Sequence, residues 1–286
     1  MDAVSAVVGL LLLAAPSDSG VVVREAFGQF TGARRLALSP QGWMLVVDEE
    51  ANHVVVFPSR DQTPRVFGGF GWGTMALDRP TGICTDGLNI YLSDEGNHRV
   101  QRLDRTLSLV ASLSKRDTTL ERARFGYPRG IALSRHGDLF VLDGENTRVV
   151  AYTGGDFRYL RTFGDLEGGK AMLEDPLEVE VTPDDKVMVL ERTRLVVFDY
   201  FGNPAGVIGE GILEKARGFG VTAAGVFVVS GDRLWAFTPQ GALQWTVRRS
   251  SLGPLAGHEF SDVAISGEFI YVLTDREVLL LGTAGM

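Results

Sequence analysis

Residues 127–164 read YPRGIALSRHGDLFVLDGENTRVVAYTGGDFRYLRTFG. Four short apolar runs, at 129–133, 139–142, 148–152 and 159–163, are separated by turns. These are Arg135-His136-Gly137-Asp138, Asp143-Gly144-Glu145-Asn146 and Thr153-Gly154-Gly155-Asp156. Short runs rich in Val, Leu and Phe bounded by Gly, Asp and Asn form strands and hairpins, whereas a helix needs a longer stretch without such breakers. The stretch predicts an antiparallel meander of four strands.

Working outward, the step from a second strand to an acid recurs along the chain. It reads Leu45-Val46-Val47-Asp48, Tyr91-Leu92-Ser93-Asp94, Phe140-Val141-Leu142-Asp143 and Met188-Val189-Leu190-Glu191. Two weaker copies follow, Phe227-Val228-Val229-Ser230 and Tyr271-Val272-Leu273-Thr274. The spacings are 46, 49, 48, 39 and 44 residues, one four-stranded unit per step and six units in all. Each acid is preceded by an inner strand opening with Pro80-Thr81-Gly82-Ile83, Pro128-Arg129-Gly130-Ile131 or Pro176-Leu177-Glu178-Val179. A third strand follows it, as in Asn97-His98-Arg99-Val100.

Pro-x-Gly-Ile, strand-Asp and Asn-His-Arg-Val together resemble NHL repeats over residues 31–286, most clearly in the second and third units. The resemblance implies an all-β, six-bladed β-propeller of four-stranded antiparallel blades. Residues 21–286 are expected to form the propeller. The sixth unit supplies three strands, and residues 21–28 (VVVREAFG) carry the Phe-Gly corner of a fourth strand, so the N-terminal strand is expected to complete the last blade and hide two sheet edges.

The chain has 45% apolar residues, 35 glycines and 16 phenylalanines, a turn-rich composition able to bury a sizeable core. With 28 basic and 36 acidic side chains its formal charge is -8, which argues against nucleic acid or an anionic membrane surface as partner. Cys84 is the sole cysteine, so no intrachain disulfide forms. Residues 4–15 are an uncharged apolar run of signal-peptide length followed by Pro16 and Ser17, although no Lys or Arg precedes it. Residues 1–20 are therefore expected to be a signal peptide or N-terminal anchor. The expected location is periplasmic or extracellular, with membrane contact only through that segment if it is uncleaved.

Several chemical readings fail on context. Gly164-Asp165-Leu166-Glu167-Gly168-Gly169-Lys170-Ala171 nearly spells a phosphate loop, but Ala171 replaces the metal-binding hydroxyl and Pro176 opens the next inner strand where a long helix should follow. His53 and His98 belong to the repeat motif, His136 to a turn and His258 to a loop. No HExxH, paired CxxC, GxSxG or EF-hand spacing occurs. For a divalent cation in the channel, as in lyase or lactonase propellers, only Glu178, Glu180, Asp86 and Asp262 are available. No cofactor, catalytic residue or metal site is assigned.

Two surfaces remain. The residue at the entry of each inner strand reads Arg34, Thr81, Arg129, Leu177, Arg217 and Ser261, so three arginines converge on one channel mouth. They suit an acidic peptide or small anion, unless they pair with acids of the loops after the second strands. Phe70, Trp72, Phe125 and Tyr127 lie in loops on the same face and suit a protein partner. The least repeat-like loop, residues 114–127, is expected to hold a short helical turn. The resulting expectation is an exported, non-catalytic binding or scaffolding module, with a channel enzyme of lyase or lactonase type as the alternative.

Overall fold

The meander at 127–164 forms one sheet whose strands, Pro128–Leu133, Asp138–Asp143, Arg148–Thr153 and Tyr159–Phe163, lie side by side in chain order. The computed structural model of the protein describes residues 21–59, 62–116, 118–165, 171–253, 256–267 and 269–283. The leader at 1–20 and most of the phosphate-loop-like segment lie outside them.

Five further sheets repeat the pattern. Their inner strands are Ala33–Leu38, Pro80–Thr85, Glu178–Val181, Ala216–Val221 and Phe260–Ser266. In the last sheet the order is Phe260–Ser266, Phe269–Thr274, Val278–Thr283 and then Val21–Phe27, so the N-terminal strand supplies the missing edge. Val21 sits opposite Thr283 and Phe27 opposite Val278, with a bulge between Val23 and Glu25.

The second strands read as continuous apolar runs because both of their faces are buried. In Val187–Leu190, Val187 and Val189 pack toward blade 3 while Met188 and Leu190 pack toward blade 5. Six such clusters, one between each pair of neighbouring blades including the sixth and first, close the ring. At roughly 1.5–3 kcal/mol per fully buried aliphatic or aromatic side chain, these clusters are the main source of stability.

The acid that ends each of the first four second strands ties its turn to the loop entering the blade. Asp48 accepts from the N–H groups of Thr31 and Gly32. Asp94 accepts from Asp78 N–H, Asn97 Nδ2 and Arg99 Nε. Asp143 binds Gly126 N–H, Asn146 Nδ2 and Arg148 Nε, and Glu191 binds Glu174 N–H and Arg194 Nε. The Asp-x-x-Asn-x-Arg spacing is therefore a structural clamp. Buried N–H groups left by the chain's entry into each blade need an acceptor, and the carboxylate provides it.

Candidate functional site

The mouth of the channel is built by a repeated irregularity. In five inner strands the ladder slips at the entry: between Ala33 and Arg35, Pro80 and Gly82, Pro128 and Ile131, Ala216 and Gly218, and Phe260 and Asp262. Each slip leaves an extra residue out of register, and such bulges re-aim side chains. The bulges fall on Arg34, Thr81, Arg129, Arg217 and Ser261, the entry positions singled out in the sequence.

Each of the three arginines meets a carboxylate. Arg34 Nη1 lies 3.3 Å from Glu49 Oε2, Arg129 Nη1 3.1 Å from Asp175 Oδ1, and Arg217 is paired with Glu259. Asp175 also receives Arg192 Nε at 3.1 Å. Only Glu49 comes from a loop after a second strand. Asp175 and Glu259 belong to the loops entering the next blade, so neighbouring blades share these pairs. Between them lies a cavity of about 410 Å³ lined by Arg34, Arg35, Glu49, Arg192, Arg217 and Asp275, among others. Arg129 stands outside that lining. Burial, together with the adjacent Arg35, lowers the pKa of Arg34.

Below this cavity the channel is plugged. Arg35 is 3% exposed; it donates to the carbonyls of Arg34, Arg217 and Leu177, and its Nε lies 3.2 Å from Glu178 Oε1. Glu178 in turn accepts Phe219 N–H at 3.0 Å, and Asp262 accepts the N–H groups of Leu36 and Val263. Blades 1, 4, 5 and 6 are thereby joined across the axis. Burial pushes both Glu178 and Asp262 above the ordinary carboxylate range despite Arg35, because one guanidinium cannot neutralise every carboxyl it faces.

Arg35 was not among the residues the sequence singled out, yet a signal was present. The position after the bulge reads Arg35, Gly82, Gly130, Glu178, Gly218 and Asp262. A Cβ at Gly82 would sit 2.9 Å from Gly130 Cα, and one at Gly218 would sit 2.6 Å from Ser261 O. Glycine lets neighbouring inner strands approach; where it is absent, the three replacements are the plug.

Three of the four carboxylates available to a channel cation accept backbone N–H groups. Glu178 and Asp262 are engaged as described, and Asp86 caps the turn beyond its strand by accepting the Leu88 and Asn89 N–H groups. Among the described residues no group of three or more His, Cys, Asp or Glu side chains is arranged to hold a metal ion. His98 is a bracket: its Nδ1 accepts Tyr127 N–H at 3.1 Å, and its ring lies 4.1 Å from that of Tyr127. Burial and Arg116 hold the pKa of this imidazole below its ordinary value, which suits an acceptor.

The four aromatic candidates separate. Phe70 and Trp72 are 67% and 75% exposed, with ring centroids 5.9 Å apart, and Met75 of the same loop is 54% exposed. Tyr127 is partly exposed, its ring meeting that of His98 edge-on. Phe125 is fully buried against Tyr152, which corrects its assignment to the surface. The reason is positional: three residues ahead of the inner strand's opening stand Leu77, Phe125, Leu173 and Leu213, and all four are buried. The helical turn expected in this loop is Glu121–Ala123, where Ala123 O accepts the Tyr152 hydroxyl and closes the lid over Phe125.

The Phe70–Trp72–Met75 loop is held by its backbone. Asn97 Nδ2 donates to Gly71 O, Gln101 Nε2 to Thr74 O, and Arg99 Nη2 to the carbonyls of Gly73 and Ala76. Leu77 N–H returns to Gly69 O. Clamp residues of blade 2 thus fix the main chain while its apolar side chains face solvent.

Residues 77–103 match the family model described as NHL repeat. Lying in the second of six blades built alike, that match makes the chain an NHL-repeat six-bladed propeller. Among curated proteins, Suppressor of Quenching 1, chloroplastic, of Arabidopsis thaliana is 31% identical over 80 residues, 26% of this chain and 8% of that protein. A probable peptidyl-alpha-hydroxyglycine alpha-amidating lyase of Caenorhabditis elegans is 30% identical over 105 residues, 35% of this chain and 29% of that one. The chain therefore spans less than a third of either curated relative. Among solved structures, a catalytically inactive variant of virginiamycin B lyase from Staphylococcus aureus, with quinupristin, superposes with a TM-score of 0.62 at 12% identity, over 89% of this chain and 81% of that one. That likeness is one of fold.

Proposed function

We infer that the protein is a non-catalytic binding propeller whose mouth face receives a protein partner. The observation that carries this reading is the Phe70–Trp72–Met75 loop, an exposed apolar group on a main chain already ordered by Asn97, Arg99 and Gln101. Rigid aromatic anchors cost little entropy on association, and such residues dominate interface energies. The paired arginines around the channel-mouth cavity supply polar groups on the same face. An acidic segment of the partner, or a small anion, would bind there by exchanging with Glu49, Asp175 or Glu259, as forked guanidiniums readily do. The apolar run at residues 4–15 supports export, to the periplasm or the cell exterior.

The test is affinity capture from the native host with the wild type and with Phe70→Ala/Trp72→Ala. A partner held by the wild type and lost by the variant, at unchanged melting temperature, supports the reading. Equal capture by both removes it.

A lyase reading is favoured by one specific observation, the 105-residue match to the amidating lyase relative. Its measurements are elemental analysis of the purified protein and turnover of a peptidyl-alpha-hydroxyglycine substrate. A stoichiometric divalent cation that stabilises the fold, together with turnover, would overturn the binding reading.

A further inference from the structure

The mouth cavity gathers guanidiniums from blades that are far apart in the chain. Arg35 Nη1 donates to the carbonyls of both Arg34 and Arg217 at 3.1 Å, and its Nη2 donates to Leu177 O at 3.0 Å. The entries of blades 1, 4 and 5 are thereby drawn together on one buried cation, which forms the cavity floor. Arg34 and Arg217, each bulged out of its ladder, line the space above it. Arg192 joins them because its carbonyl accepts Ala216 N–H at 2.9 Å, which sets the end of blade 4's second strand beside the entry of blade 5.

Each of these three forks is only partly engaged. Arg34 meets Glu49 through Nη1, Arg192 meets Asp175 through Nε, and Arg217 meets Glu259 through Nη2. Arg34 Nε is buried and has no hydrogen-bond partner among the described residues. A guanidinium carries five donor hydrogens, so one contact apiece leaves most of the set for a ligand. The three arginine side chains are about half exposed, and exposed pairs of this kind add little stability. Oxygens of a ligand can therefore join or displace the acids at small cost.

The space also limits what fits. It holds about 410 Å³, the size of a small-molecule pocket. Apart from its charged groups the wall is short, with Gly32, Ala33, Ala216 and Ser261, and Leu177 is its one larger apolar side chain. Forked guanidiniums match carboxylate oxygens two at a time. Two carboxylates on one short chain can engage arginines of two blades at once.

We propose that the mouth cavity binds a small dicarboxylate, one carboxylate on Arg34 and the other on Arg217 with Arg192 beside it. The inference rests on the reading of the mouth as the binding face, and it makes the occupant of the cavity a small molecule in place of an acidic segment of the partner. It does not use the Phe70–Trp72–Met75 loop.

The experiment is calorimetric titration of the whole protein near pH 7 with sodium succinate. Sodium butyrate is the singly charged control of equal carbon count, and a hexaglutamate peptide is the probe for an acidic segment. Succinate should bind at one site, with butyrate weaker by roughly tenfold or more because it lacks one charge-assisted pair. Arg34→Gln and Arg217→Gln should each weaken succinate by a similar factor; both side chains are about half exposed, so the variants are expected to fold, which their melting curves check. Phe70→Ala/Trp72→Ala should bind succinate as the wild type does, so loss of the ligand and loss of partner capture are separate results. The proposal is overturned if succinate does not bind, if butyrate or hexaglutamate binds as tightly, or if either folded arginine variant binds succinate as tightly as the wild type.

Discussion

In blade 2 the residue that ends the second strand is Asp94, whose buried carboxylate gathers a backbone N–H, an amide and a guanidinium. In blade 5 the same place is held by Ser230, whose hydroxyl donates to Asp232 two residues on. Both blades nevertheless have four strands in the same order and equally dry cores. Blade formation therefore rests on apolar strands buried on both faces, and the clamp has a different task. In blade 2 it fixes the loop that displays Phe70 and Trp72: Arg99 binds Asp94 with one nitrogen and the loop carbonyls with another. A strong repeat motif marks where a loop must be held, more than where a sheet must be stabilised.

The comparison breaks most severely at the closing strand, because blade 6 combines a weak motif, Thr274, with a sheet completed from the other end of the chain. A chain starting at Gln29 should melt at least about ten degrees below one starting at Val21, at roughly 2–4 °C per kcal/mol for a chain of this size. An unchanged melt in calorimetry would mean that the pairing of Val21–Phe27 with Val278–Thr283 contributes nothing.

Next come the acids themselves. Asp94→Ala leaves Arg99 without its partner in a largely buried place and should cost about 3–5 kcal/mol in denaturant titration. Ser230→Ala should cost only about 0.5–1.5 kcal/mol. Similar losses at both would erase the distinction between the blades.

A pH-dependent effect is expected at Glu180, which faces Asp262 and an Arg35 already engaged by Glu178. Its folded pKa is raised to about 8, so the native state keeps a proton that the unfolded chain gives up near the ordinary glutamate value. The wild type should therefore lose stability relative to Glu180→Gln as the pH rises from about 4.3 to about 8, with no further divergence above that. Melting curves of the two proteins that run parallel across this window would contradict the assignment. The smallest effect on stability belongs to the display loop: Trp72→Ala should change it by no more than about 0.5 kcal/mol while removing partner capture.

The propeller was legible because its determinants are local and repeated: apolar runs buried on both faces and turns at fixed spacing in all six units, with an acid ending the second strand in the first four. The mouth ring was legible for the same reason, since its residues occupy one repeat position. Phe125 was misread because it was treated as a loop residue, although the repeat position it shares with Leu77, Leu173 and Leu213 is a core position. The plug escaped because Arg35 and Glu178 lie in different blades, three apart around the ring, and no local pattern joins them. The trace they left was the loss of glycine at the position where inner strands touch.

The closing strand has a geometric consequence. Inner and third strands run away from the mouth, second and fourth strands run toward it, so Val21 and Thr283, opposite each other in blade 6, both lie at the rim of the far face. A tether, tag or fused domain attached at either point leaves from the back edge of the disc. The face carrying Trp72 and the arginine pairs would then point outward from whatever surface holds the protein, which favours joining labels there when partners are sought.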